Sequence, residues 1–260
     1  MRRAAAGRIP HLLVLLLLAA AGCAARHAAA EPVAPANQRD ADEDPLAGAW
    51  DKDDQQADAG WPDPFEDVNR FVFQFNDGLY LYVVKPVATE WKRVVPENVR
   101  LGVRNVFSNV ETPVRLVNCL LQGKFEGAGI EVRRFLINST LGVGGIGDPA
   151  FLDYGLAMQR EDFGQTLAVW GFKPGVYLVL PFAGPSSCRG AVGLVADSFL
   201  DPLGYLVEPW TIRAGLSALE GVNVASLRLG EYERLKRMAL DPYIALRDAY
   251  RQRRTAATAE

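Results

Sequence analysis

Residues able to do acid–base, nucleophilic or metal chemistry are few in this 260-residue chain, and their placement limits its activity. The only histidines are His11 and His27, and both precede the segment that could fold. Residues 63–260 therefore contain no histidine to serve as a general base or a metal ligand. Two adjacent serines, Ser186 and Ser187, lie outside any G-x-S-x-G motif and have no histidine to activate them.

A glycine-rich run, Gly142–Gly147, matches the G-x-G-x-x-G pattern of dinucleotide-binding loops. That fingerprint needs a strand before the glycines and a helix that opens within them. Here a helical pattern ends at residues 138–140, and the next helix start comes only after the glycines. The run therefore predicts a turn between two helices, and the sequence gives no support for an enzyme.

The N-terminus has the pattern of a bacterial export signal. A basic start precedes an apolar run from Leu12 to Ala21, with Cys23 close behind. The run is too short to span a bilayer, which needs about 20 apolar residues, and its layout is typical of a cleaved signal over residues 1–22. Small residues before Cys23 resemble a lipobox, in which that cysteine is acylated. Ordinary cleavage near Ala25 is the alternative.

The charge distribution separates a tether from a folded unit. Residues 23–62 carry nine acids and three bases and few large apolar side chains, a composition that predicts a flexible, acidic tether. Residues 63–260 carry 22 charges of each sign, and their length suits one domain. A neutral domain has no general attraction for nucleic acid, so we expect no nucleic-acid partner.

Repeated helix-start signals predict an all-α domain. Five times a good N-cap residue stands before a proline suited to the first helical position. These pairs are Asp63-Pro64, Thr112-Pro113, Asp148-Pro149, Asp201-Pro202 and Asp241-Pro242. Glu66 completes a capping-box pattern with Asp63. One strand-like segment, Val176–Leu180, has no obvious partner.

Three segments carry informative side-chain patterns. A predicted helix over Pro64–Val84 is apolar around most of its circumference, so it is either central in a core or faces lipid. A helix over Lys124–Asn138 is amphipathic. Its apolar Phe125, Ala128, Val132, Phe135 and Leu136 oppose Glu126, Arg133 and Arg134. The basic stretch 228–260 forms either a solvated face or a contact with anionic headgroups.

The two remaining cysteines leave two interpretations open. In an oxidising periplasm Cys119 and Cys188 could form a disulfide, which would close a loop of about 70 residues and contribute about 4 kcal/mol. Alternatively, both are buried thiols that act as small hydrophobes.

Motifs along the domain together resemble the MlaA/VacJ family of outer-membrane lipoproteins, and the resemblance spans about residues 63–250. The runs that carry it are Asp63–Glu66, Phe107–Pro113, Asn118–Lys124, Arg134–Thr140, Glu161–Leu167, Gly184–Ser187 with Arg189, and Asp241–Tyr243.

The resemblance implies a ring-like bundle of short helices in the inner leaflet of the outer membrane, around an amphipathic channel. The implied function is removal of mislocalised phospholipid from the outer leaflet. The implied partners are a trimeric porin and a soluble periplasmic carrier, with no cofactor apart from the transported phospholipid. It also favours lipid as the surroundings of the helix over Pro64–Val84.

The family's glycine-rich loop G-x-G-x-G-P-Y maps onto residues 171–177. By the resemblance, Gly171 and Gly175 are hinge positions, with Lys173 in place of the middle glycine and Tyr177 at the end. The residues implied to lead into the channel wall are Leu178, Leu180 and Pro181. A plain tight turn is the alternative for the loop. For the whole chain, a lipid-anchored scaffold and a lipid hydrolase using Ser186 or Ser187 are the alternatives.

Overall fold

The computed structural model describes residues 62–259, and most of them are helical, which confirms the all-α prediction. The helices are α1 (Glu66–Leu79), α2 (Lys85–Val94), α3 (Glu97–Val110), α4 (Thr112–Leu121), α5 (Phe125–Thr140), α6 (Pro149–Leu152), α7 (Phe163–Val169), α8 (Cys188–Ser198), α9 (Leu203–Leu206), α10 (Trp210–Leu227), α11 (Glu231–Met238) and α12 (Pro242–Ala259). Within this part of the chain, none of the helices combines the length and the apolar character needed to cross a bilayer. The predicted signal, Cys23 and nearly all of the tether lie outside the described residues.

The first helix is longer than the sequence predicts. It begins at Glu66 and passes through a π-helical turn, Tyr80–Val84, directly into α2. The expected end at residue 84 is therefore wrong. Pro86 lies in the first turn of α2 and has no N–H to donate. The wider π turn, closed by the Lys85 N–H donating to the Tyr80 carbonyl, lets the helix continue across this point.

Three of the five predicted start signals cap a helix or the turn leading into one. The Asp148 and Asp241 carboxylates accept hydrogen bonds from backbone N–H groups at 3.3 and 2.9 Å, at the starts of α6 and α12. The Asp201 carboxylate accepts a hydrogen bond from the Leu203 N–H at 3.0 Å, although Asp201 lies one residue before Pro202, the N-cap position of α9.

The other two start signals have different roles, so the predicted capping box is wrong. The Asp63 carboxylate accepts from the Asn69 side chain at 2.7 Å and from the Tyr243 hydroxyl, instead of capping α1. The Thr112 hydroxyl accepts from Arg115 at 3.1 Å. Both side chains bind polar groups of buried residues and add to the hydrogen bonds that those residues make elsewhere.

The strand-like segment does have a partner, contrary to the prediction. Strand β1 (Tyr177–Leu180) pairs antiparallel with β2 (Gly184–Ser187), with Tyr177 opposite Ser187 and Leu180 opposite Gly184. The second strand reads Gly-Pro-Ser-Ser, a composition depleted in strands, so its sequence gave no strand signal.

The hairpin packs on α12 through a cluster that we call the aromatic core: Tyr177, Val179, Tyr243 and Tyr250. The ring of Tyr177 lies 6.2 Å from the rings of both other tyrosines. Such tilted and edge-on arrangements are the favoured ones for aromatic pairs. This cluster ties the hairpin to the end of the chain.

The basic C-terminal stretch matches the predicted solvated face only in part, because several of its arginines are packed inside the domain while others are exposed. On α12, the side chains of Arg247, Arg251 and Arg254 are only 10–13% exposed. Arg254 binds the Asp162 carboxylate at the start of α7, and Arg247 lies 3.6 Å from Asp63. The arginines therefore fasten α12 to the rest of the domain.

Candidate functional site

The exterior of the domain is rich in large apolar side chains. In residues 62–259, those more than 70% exposed are Phe71, Tyr82, Val94, Phe125, Val143, Leu152, Phe182, Leu206, Trp210, Met238 and Leu240. Monomeric water-soluble proteins rarely expose extensive apolar surface, and such surface marks a contact with protein or membrane. The exposed set extends from α1 to the residues after α11, so the apolar exterior involves most of the domain.

The interior is correspondingly polar. Among the described residues, 17 polar or charged side chains are buried, against 10 apolar ones. In ordinary globular proteins charged side chains are rarely buried, and apolar residues fill the core. The domain is therefore arranged with polar groups inside and apolar groups outside.

Helix α5 shows this inversion most clearly. It buries Glu131, Arg134 and Asn138, while Phe135 and Leu136 are 41% and 55% exposed. The helix was predicted correctly, but the division of its side chains was wrong, because Arg134 is buried together with Ala128, whereas Glu126 and Arg133 are exposed. The apolar side of the helix faces outward, because the polar side finds charged partners on α4 and at the start of α6.

A fully buried ion pair joins α4 to α5. Arg115 Nε donates to Glu131 Oε2 at 2.8 Å, and the Glu131 side chain has no exposed surface. The remaining groups are also paired, because the Gln159 N–H donates to Glu131 Oε1 at 2.8 Å and Arg115 Nη2 donates to the Ser108 carbonyl at 2.8 Å. Buried charges persist only when paired and hydrogen-bonded in this way.

A second polar group surrounds the start of α6. Arg134 Nη2 donates to both oxygens of Asp148, at 3.0 and 3.1 Å, and Asn138 Nδ2 donates to the same carboxylate at 2.8 Å. Beside them is a small polar cavity of about 10 Å³, enough for one water molecule. Arg134 is one of the residues that line this cavity, and its buried Nε has no hydrogen-bond partner in the protein.

A third polar group joins α4, α7 and α8. Asp197 accepts from Asn118 Nδ2 at 2.8 Å and from the Phe163 N–H at 3.0 Å. The Thr166 hydroxyl donates to Asn118 Oδ1 at 2.8 Å. Burial raises the pKa of the Asp197 carboxyl, although these hydrogen bonds act in the opposite direction.

The predicted hinge loop is held at several points. Gly171 and Gly175 have φ angles of +88° and +74°, which favour glycine, and Lys173 is exposed. Arg189 Nη1 donates to the Phe172 carbonyl at 2.7 Å, and the Arg189 N–H donates to the Pro174 carbonyl at 3.1 Å. Burial lowers the pKa of Arg189, with the nearby Arg254 adding to the effect.

The residues predicted to follow the loop separate into two environments. Tyr177 is only 1% exposed and belongs to the aromatic core rather than to the loop. Leu178 and Leu180 are half-buried on the opposite face of β1, and Pro181 is exposed at the hairpin turn. Strand alternation explains the split, because successive side chains point to opposite faces.

Cys119 and Cys188 are not joined by a disulfide. Cys119 is completely buried on α4, and burial raises the pKa of its thiol to about 11. Cys188 opens α8, beside Gly175. At Cys119 the structure thus agrees with the alternative of a buried thiol that acts as a small hydrophobic side chain.

Sequence reasoning missed several residues that organise the site. The sequence assigned no role to Arg115, Glu131, Asp197, Asn69 or Asn76, because their partners lie elsewhere in the chain. A usable signal was the recurrence of charged residues between small ones on α5, where Gly127 and Ala128 allow close packing on α4. The sequence alone does not reveal which charge partners which.

A helical domain with an apolar exterior and a paired polar interior belongs to the class of membrane-associated proteins. The family model described as MlaA lipoprotein matches residues 61–257. The chain belongs to the MlaA lipoprotein family.

Similar proteins cover most of the chain. The intermembrane phospholipid transport system lipoprotein MlaA of Escherichia coli K12 is 38% identical over 207 residues, 77% of this chain and 78% of that protein. The protein of the same description from Haemophilus influenzae is 32% identical over 212 residues, which are 80% of this chain and 83% of that protein. A solved structure described as "Structural basis for maintenance of bacterial outer membrane lipid asymmetry" matches with a TM-score of 0.67 and 36% identity, covering 76% of this chain and 99% of that one.

Proposed function

We propose that this chain is a lipoprotein component of an intermembrane phospholipid transport system. It removes mislocalised phospholipid from the outer leaflet of the outer membrane and so maintains lipid asymmetry. The observation that carries the proposal is the inverted domain, with an apolar exterior around buried ion pairs, in a member of the MlaA lipoprotein family. Its relatives from Escherichia coli and Haemophilus influenzae are described as phospholipid transport lipoproteins.

The physical task explains why such an arrangement is useful. A phospholipid headgroup is charged, and moving an isolated ion into hydrocarbon costs tens of kcal/mol in the Born limit. A protein that offers polar groups to the headgroup and apolar surface to the tails lowers this barrier. In the proposed arrangement the apolar exterior sits among lipid tails, and the helices enclose an amphipathic path. Leu178, Leu180 and Pro181 remain our candidates for its wall, and Gly171 and Gly175 for its hinge.

The proposed location is the inner leaflet of the outer membrane, with acylated Cys23 as the anchor. Two or more acyl chains give stable attachment, since each buried CH₂ contributes about 0.8 kcal/mol. The proposed partners are a trimeric porin and a soluble periplasmic carrier that accepts the lipid. The chain itself is proposed to hydrolyse nothing. Ser187 supports this, because the residue is 1% exposed and its hydroxyl accepts a hydrogen bond from the Gly190 N–H at 3.0 Å as the cap of α8.

The test is the phospholipid content of the outer leaflet, read with a labelling reagent that cannot cross the membrane. Deleting the gene should raise this content, and the wild-type gene should restore it. Cys23→Ala should fail to restore it, whereas Cys119→Ala, which removes a thiol inside α4, should succeed. Wild-type levels after deletion would contradict the proposal and favour a scaffold. Loss of fatty-acid release after deletion would instead favour the hydrolase.

A further inference from the structure

Two asparagines on one face of α1 bind the backbone of the hairpin. Asn69 and Asn76 are seven residues apart, two helical turns, so they lie one above the other. Asn69 Nδ2 donates to the Tyr177 carbonyl at 3.1 Å, and its Oδ1 accepts from the Val179 N–H at 2.8 Å.

Asn76 repeats the arrangement at the other end of β1. Its Nδ2 donates to the Leu180 carbonyl at 2.9 Å, and its Oδ1 accepts from the Phe182 N–H at 2.9 Å. Both side chains thus use a donor and an acceptor at once, as a peptide group in a neighbouring strand would. We call these four hydrogen bonds the amide clamp.

The amide clamp covers an edge that would otherwise be open. One edge of β1 pairs with β2, and the two Asn69 hydrogen bonds satisfy backbone groups on the other edge, whereas the Asn76 bonds hold the end of the strand and the turn after it. The Tyr177 N–H on that edge donates to the Pro62 carbonyl at 3.1 Å. A two-stranded hairpin is marginal on its own, and an uncovered strand edge invites mispairing. The chain entering and forming α1 therefore takes the place of a third strand.

The clamp also supports an unfavourable backbone conformation at the hairpin turn. Phe182 has a φ angle of +66°, which costs energy for a residue with a bulky side chain. Its ring is 77% exposed and lies 5.6 Å from that of Phe75, edge to face. Asn76 binds the N–H of this same residue, so it holds the turn in place.

We propose that Asn69 and Asn76 are positioning residues that lock the hairpin 177–187 onto α1. The hairpin and α1 then move as one body, and any motion at Gly171 and Gly175 carries the pair rather than the hairpin alone. The link to lipid removal rests on the proposed function. The lock itself does not, and it is measurable without transport.

The first test is hydrogen exchange on the full-length lipidated protein in detergent micelles. Asn76→Leu keeps the branching and the number of heavy atoms of the side chain and removes both hydrogen bonds, so exchange in peptides covering 178–183 should accelerate about tenfold. Gln74→Ala is the matched control, because Gln74 is exposed on the same helix. It should change exchange less than twofold. Equal exchange in the two variants would overturn the lock.

Asn69→Ala is the stronger variant, since Asn69 is 2% exposed and also donates to Asp63. It is expected to accelerate exchange in 176–180 and to lower stability. If Asn69→Ala fails to fold, the Asn76→Leu variant still tests the lock, because Asn76 is only partly buried and its substitution should leave the domain folded.

The second test is outer-leaflet phospholipid in cells carrying Asn76→Leu at normal protein level. The content should rise toward that of the deletion strain, with Gln74→Ala unchanged. Faster exchange with wild-type lipid content would overturn the role in transport while leaving the lock in place. If deletion of the gene leaves the outer-leaflet phospholipid content unchanged, the proposed function is wrong. The lock is then judged by the hydrogen-exchange result alone.

Discussion

Helix α5 and the aromatic core solve the burial problem in opposite ways. Helix α5 hides Glu131 and Arg134 and presents Phe135 and Leu136 to its surroundings. The aromatic core hides tyrosine rings and Val179 between the hairpin and α12, as an ordinary water-soluble domain would. One molecule thus contains an inverted region and a conventional one.

The difference indicates two kinds of surroundings. Burying an ion pair is costly in water, because both charges lose their hydration. When the outside is lipid, apolar side chains gain nothing by moving inward, and the polar groups must find partners inside. We infer that α5 faces lipid and that α12 lies toward water.

The largest expected effect comes from breaking the buried ion pair. Glu131→Gln removes the 2.8 Å ion pair and leaves Arg115 only the more distant carboxylate of Glu111, 3.7 Å away, so it should lower the free energy of unfolding by about 3 kcal/mol. Denaturant unfolding in detergent measures this. Glu90→Gln is the control, because the Arg93–Glu90 pair is 71% and 62% exposed and should contribute less than about 1 kcal/mol. Equal losses of unfolding free energy in the two variants would mean that the contact between α4 and α5 is not shielded from water.

Truncating a tyrosine in the aromatic core should have a similarly large effect on stability. Tyr177→Ala leaves a cavity beside Tyr243 and Tyr250 and should cost about 3 kcal/mol. Tyr82→Ala serves as the control, because Tyr82 is 83% exposed and should change stability by less than about 0.5 kcal/mol. A small loss at Tyr177 would show that the conventional region is not a packed core.

The lipid-facing assignment can be tested with single charges in a Cys23→Ala background, where the anchor is removed. Leu136→Glu on α5 should weaken binding to phosphatidylcholine vesicles about tenfold or more. Thr255→Glu, at an exposed position of α12, should have little effect. Vesicle flotation measures both. Equal weakening would remove the distinction between the two regions.

The smallest effect concerns Glu220 on α10. Burial, followed by the charges of Glu111 and Asp201, raises its pKa from 4.5 to about 7. Because the pKa is higher in the folded protein, ionisation of Glu220 costs stability increasingly from pH 4.5 to 7 and fully above it. Glu220→Gln should therefore stabilise the protein by about 1 kcal/mol at pH 8, after allowance for screening.

The matching measurement is unfolding at pH 8 and at pH 4. At pH 4 the gain should vanish, since Glu220 is then protonated in both states. A gain of equal size at both values would point to packing instead of charge.

The sequence predicted the elements better than their surroundings. The Asp-Pro signals at 148 and 241 predicted helix starts, because capping depends on residues next to each other in the chain. The periodicity of 124–138 likewise predicted a helix close to α5. Which face of α5 turns inward could not be predicted, because hydrophobic periodicity gives two faces and the solvent decides between them.

The remaining misses involve partners distant in the chain. Asp63 had the pattern of a cap, yet it binds Tyr243, 180 residues further on. Asn69 and Asn76 bind a hairpin more than 100 residues away, and the partner strand carries no strand signal. Local pattern does not encode such pairings, so the amide clamp required the structure.

The attachment of Pro62 and Asp63 to three separate elements has a mechanical consequence. Pro62 is hydrogen-bonded to Tyr177 of β1, and Asp63 is held by Asn69 of α1 and Tyr243 of α12. Tension applied to the chain ahead of residue 62 is therefore shared at once by a helix, a strand and the C-terminal helix. These hydrogen bonds must break together under load. The domain should therefore resist a force applied through the tether better than a domain whose first contact is the end of a single helix.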